Sequence, residues 1–156
     1  MGSDSDAEVM SQACSALDEV KIPYQMSVAS AHRSPERTKQ IVTDGERDGA
    51  AVFIAGAGMA AHLPGVVASL TTRPVIGVPL AGGALQGFDA LLAVVQMPPG
   101  IPVATVAVGG ARNAGILAAQ IMATADTELA ARLRELRSAM SEGVKTRSKK
   151  VERSTR

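Results

Sequence analysis

The chain has 156 residues, 46% hydrophobic and 20% charged, which suits one domain with a real core and excludes a disordered polar chain. No apolar run reaches the ~18 residues of a membrane span; the opening "MGSDSD" is no signal segment, and Asp6 spoils a myristoylation reading, so a cytoplasmic protein is expected. A net charge of +1 with 2% aromatics argues against nucleic-acid binding.

The first element is a helix, because "AEVMSQACSALDEV" sets Val9, Met10, Ala13, Ala16, Leu17 and Val20 on one face. Its Cys14 lies on the apolar side and reads as core filler, and a single cysteine leaves no internal disulfide. With only His32 and His62 beside it, no Cys/His metal cluster is expected. Pro23 marks a break, and "YQMSVAS" (24–30) then reads as a strand. Ser34 can cap the next helix, with Pro35 at its first position, and that helix runs to about Arg47.

"AAVFIAGA" (50–57) is nearly all apolar, as a strand covered on both faces would be. A short helix is predicted from Leu63-Pro64 to Leu70, and a buried strand over 74–79. A helix capped near Asp89 follows over 87–97, then a strand over 102–108 and an alanine-rich helix over 109–123. A last amphipathic helix covers about 127–142. Beyond it Lys145, Arg147, Lys149, Lys150, Arg153 and Arg156 crowd the end against Glu152, a composition read as a mobile basic tail over 143–156. Strands alternating with helices imply an α/β domain over 1–142, a parallel sheet with helices on both faces and ligands beyond the strands' carboxyl ends.

Three loops at such ends carry chemistry. "GSDSD" (2–6) offers hydroxyls and carboxylates; it also reads as an N-cap for the helix behind it. "SAHRSP" (30–35) puts His32 and Arg33 just ahead of a helix N-terminus. Positive backbone ends would hold that imidazole towards its neutral, proton-accepting form, and Arg33 can fork onto a phosphate; a surface His–Arg turn is the other reading. "AGAGMAAHLPG" (55–65) contains G-x-G-x-x-A after a strand, the start of a dinucleotide fingerprint. The ribose-binding acid that such a site needs about 20 positions on is missing, since no Asp or Glu lies between Gly49 and Phe88. The glycines, Gly58 among them, instead suit close approach of backbone to a small ligand. His62 is either a second polar group of that pocket or a structural histidine.

Taken together, "GSDSD", "SAHRSPE", "AGAGMAAHLPG", "PVIGVP", "DALLAVVQMPPGIPVATVAV" and "NAGILAAQI" resemble the class I 5-(carboxyamino)imidazole ribonucleotide mutases of purine biosynthesis. The resemblance implies a flavodoxin-like three-layer sandwich, a homo-octamer with sites at subunit contacts, and no metal, ATP or biotin. It implies that a carbamate on the exocyclic amine of aminoimidazole ribonucleotide becomes a carboxylate on carbon 4, with His32 moving the proton. Ser3, Asp6 and Arg33 would hold the nucleotide, with Ser5 and Ser30 helping. A carboxylase acting directly on the free amine and carbon dioxide, and a non-catalytic nucleotide-phosphate-binding protein, are the alternatives. Met59 stands where many relatives have glycine. The family also has a strand before "GSDSD", where only Met1 and Gly2 precede Ser3, so the first strand is expected to be missing and the chain to start late.

Overall fold

The computed structural model describes residues 1–154. A short turn over Asp4–Asp6 leads into helix α1 (Ala7–Glu19), and helix α2 (Pro35–Arg47) follows. Strand β1 (Phe53–Gly58), helix α3 (Leu63–Leu70), strand β2 (Val75–Leu80) and helix α4 (Phe88–Val95) come next. Strand β3 (Ala104–Thr105), helix α5 (Ala111–Ala123) and helix α6 (Thr127–Ser154) complete the order. The three strands are parallel in the order β1-β2-β3.

The period of two in the strands divides the core. Ile76, Val78 and Leu80 turn to α1, α5 and α6, meeting Met10, Leu17, Ala114 and Leu129. Ala55, Ala57 and Val75 turn to the opposite face and meet Val42, Leu63, Val67, Ala90 and Val94. Every residue of β2 is buried, as its unbroken apolar run requires of a central strand. Small residues bring the layers close. A Cβ on Gly115 of α5 would lie 2.6 Å from the Ala13 carbonyl of α1, and one on Gly77 would collide with Val94 and Val103.

Four expectations need correction. Residues 24–30 form no strand; among the described residues their extended backbone bonds Met1, the Arg37 side chain and Ser34 rather than a neighbouring strand. The Met1 amine donates to the Ser27 carbonyl (3.0 Å), the Ala29 amide donates to the Met1 carbonyl (2.9 Å), and the Gly2 amide donates to the Gly56 carbonyl (3.2 Å). The strand expected over 102–108 shrinks to Ala104–Thr105, which pairs with Ile76 and Gly77. The cap of α4 is Gly87, with φ at +90°, while Asp89 is the second residue of the helix, within its first turn. Helix α6 does not stop near 142 but continues to Ser154, since Lys, Arg and Glu are good helix formers and pair along the turns: Lys145 with Glu142 at 2.6 Å, and the Ser148 hydroxyl with Glu152 at 3.0 Å. The expected mobility of 155–156 lies outside the described residues.

Candidate active site

The carboxyl ends of the strands gather the candidate residues. Ser30 and Ser34 tie the turn that carries His32. The Ser34 amide donates to the Ser30 carbonyl (2.9 Å) and the Ser30 amide to the Ser34 hydroxyl (3.1 Å). Ser34 occupies the cap position of α2, but its hydroxyl is spent on Ser30 rather than on the helix. The Ser30 hydroxyl in turn accepts the Arg33 amide (3.2 Å). Arg33 is exposed; its Nε donates to the Ser30 hydroxyl (3.4 Å), and no carboxylate pairs with its guanidinium among the described residues.

His62 arrives from the other side, as the N-cap residue of α3 just beyond β1. Its Nδ1 lies 2.6 Å from His32 Nε2, with the rings edge to face, centroids 4.7 Å apart at 71°. Two nitrogens that close can share only one proton, so one ring donates and the other accepts. Both rings stand at helix N-termini, where anions are favoured. The structure thus joins two histidines that lie thirty positions apart.

Ser3 and Asp6 form a reciprocal cap: the Ser5 amide donates to the Ser3 hydroxyl (3.3 Å) and the Ser3 amide to the Asp6 carboxylate (3.1 Å). The Ser5 hydroxyl also reaches Ser3 at 2.9 Å. No hydrogen bond joins this turn to His32 or Arg33 among the described residues. The turn stands beside them because Gly2 lies between Ala29 and Gly56. Gly58 ends β1, and its carbonyl accepts the Ala61 amide (3.0 Å).

Two features escape a reading of the sequence. Met59 (φ +55°) and Ala61 (φ +45°) sit in the left-handed region next to His62, a strain that only backbone geometry reveals. Asp89, in the first turn of α4, keeps Oδ1 buried without a hydrogen-bond partner among the described residues.

The site and the fold can be matched to known proteins. N5-carboxyaminoimidazole ribonucleotide mutase of Pyrococcus horikoshii is 49% identical over 97% of this chain and 86% of that protein. The mutase of Bacillus subtilis is 53% identical over 88% of this chain and 86% of its own length. The crystal structure of Treponema denticola PurE superposes with a TM-score of 0.86 at 27% identity, covering 96% of this chain and 94% of that one. No helix among the described residues is long and apolar enough to cross a membrane. The AIR carboxylase family model matches residues 1–143, a span that takes in the serine turn, both histidine loops and the whole sheet, and the chain belongs to that family.

Proposed function

We propose that the chain is an N5-carboxyaminoimidazole ribonucleotide mutase of purine biosynthesis. The observation that carries this reading is the His32–His62 contact, in a chain 49% identical to a named mutase. In the reaction the N–CO2 bond of the carbamate breaks, its electron pair stays on nitrogen, and nitrogen takes a proton from protonated His32. The enamine-like carbon 4 then attacks the released carbon dioxide, and the proton on carbon 4 leaves to His32. The net proton transfer is zero, so a single base suffices and no metal or carrier is needed. His62 fixes which His32 nitrogen bears hydrogen. Arg33 and Ser3 hold the phosphate end, Asp6 holds the nucleotide with Ser5 and Ser30 helping, and Gly58 lets the substrate lie close to backbone. Small walls keep carbon dioxide near carbon 4 between the two steps.

The fold is read as flavodoxin-like, with Met1 and Gly2 standing in for the first strand of the sheet. The exposed stripe Leu85, Phe88, Leu92 and Val95 supports a homo-oligomer, in the octameric arrangement that the resemblance implies. Light scattering at micromolar concentration tests this, and a monomer would rule it out.

A second reading is direct carboxylation of aminoimidazole ribonucleotide. It is favoured by the phosphoribosylaminoimidazole carboxylase of Schizosaccharomyces pombe, 48% identical over 98% of this chain, which spans 28% of that protein. One experiment separates the two. The purified chain, without ATP, is given the carbamate or the free amine with bicarbonate, and ring carboxylation is followed by ultraviolet absorbance. Turnover of the carbamate supports the mutase; turnover of the free amine alone supports the carboxylase.

A further inference from the structure

The turn between β1 and α3 holds two non-glycine residues in the left-handed region, and only one of them is compensated inside the domain. Ala61 (φ +45°) is 3% exposed, joins the core half that holds Leu63 and Val67, and donates its amide to the Gly58 carbonyl (3.0 Å). Met59 (φ +55°) is 62% exposed and belongs to neither half of the core. Its strain and its wetted apolar surface are therefore offset by no burial within the folded chain. Glycine would fit this backbone without a Cβ, so the turn itself does not call for a methionine. Yet Met59 stands three residues ahead of His62, at the carboxyl end of β1, where the ligands of such sheets lie.

In a mutase, the species that must be held between the two steps is carbon dioxide, which is small, neutral and has no proton to donate. Hydroxyls and charged groups grip it poorly; dispersion contact and exclusion of water grip it better. Among the turns at residues 2–6, 30–34 and 59–62, Met59 carries the one long apolar side chain; the others are Gly, Ala, Ser, Asp, His and Arg. We propose that Met59 is the apolar cover over released carbon dioxide, and that it sets how often the gas is recaptured by carbon 4 rather than lost to water. The inference rests on the mutase reading. An unbranched thioether adapts its shape to a small guest, and contact with that guest supplies the burial that the turn by itself lacks.

The test follows the carbon. The carbamate is prepared with a heavy isotope in its carboxyl carbon and turned over by the 156-residue chain in unlabelled bicarbonate, against an enzyme-free control. Mass spectrometry reads the label kept in the ring carboxylate, and the free amine released counts the escapes. Met59→Gly should lower the ratio of recapture to escape about 10-fold, the lower end of what one lost apolar contact does to a partition. Met59→Leu should restore most of that ratio, because it returns apolar cover without the sulfur. Unchanged label retention in a Met59→Gly variant that still turns over overturns the proposal and leaves the mutase reading standing. A wild-type chain that forms no ring carboxylate from the carbamate overturns both. Dissociation of a wild-type oligomer by Met59→Gly, seen by light scattering, would assign the side chain to a subunit contact and also overturns the proposal.

Discussion

The two edges of β1 differ sharply, and so do their neighbours: β2 is apolar and buried throughout, whereas 24–30 carries Gln25, Ser27 and Ser30. Towards β2, six residues meet six, from Phe53 opposite Val75 to Gly58 opposite Leu80. Towards 24–30, one amide of Gly2 reaches across. Apolar alternation makes a segment eligible to be a strand, but the ladder makes it one. The candidate site straddles this contrast. His62 hangs from the fully paired strand, while His32 follows a segment tied through Met1 and the Arg37 side chain instead of a ladder.

The largest expected effect tests whether the loosely tied side carries the chemistry. His32→Asn should lower turnover at least ~10²-fold, about 2.7 kcal/mol in the barrier, with an unchanged melting curve. Near-normal turnover in the folded variant would return the chemistry to the paired side. Next, Gly77→Ala within the paired sheet should cost about 1–3 kcal/mol, through collision with Val94 and Val103. Gln25→Ala on the open side should stay within about 0.5 kcal/mol. Equal costs in urea titrations would erase the distinction between the edges.

Smaller still, Met59→Gly should stabilise by about 0.5–1 kcal/mol, since glycine accepts φ +55° without a Cβ penalty that outweighs its own entropy. A loss of stability would show that the Met59 side chain contributes packing despite its exposure. The least effect concerns pH. Burial pushes the Met1 ammonium below its ordinary 8.0, although Asp6 opposes the shift. The unfolded chain therefore binds more protons between the two values. Stability should rise as pH climbs towards 8.0 and be fully present above it. Amino-terminal acetylation should remove that slope from the melting midpoints; a slope that persists assigns it to other groups.

Much of this was legible because local chemistry and tertiary context agree. Pro35 opens α2, Leu63–Leu70 is a helix, and the apolar run at Val75–Leu80 is a buried strand. Residues 24–30 misled because the pattern of a strand says nothing about its partner. Asp89 misled because Gly87, free to adopt positive φ, took the cap. The basic run after 142 read as a tail because charge density masks helix propensity. At the site, the loops were visible as motifs, but the His32–His62 contact depends on the order of elements across the sheet, which residue spacing does not encode.

The exposed apolar stripe of Leu85, Phe88, Leu92 and Val95 also bears on how the protein behaves in a tube. Apolar side chains left exposed together are a surface on which neighbouring molecules can associate. A formal net charge of +1 and an isoelectric point near 7.9 provide little long-range repulsion to keep such neighbours apart. Colloidal stability should therefore be poorest close to pH 7.9 and improve on moving away from it. A partner seated on the stripe would act as a solubiliser, by covering apolar surface rather than by adding charge.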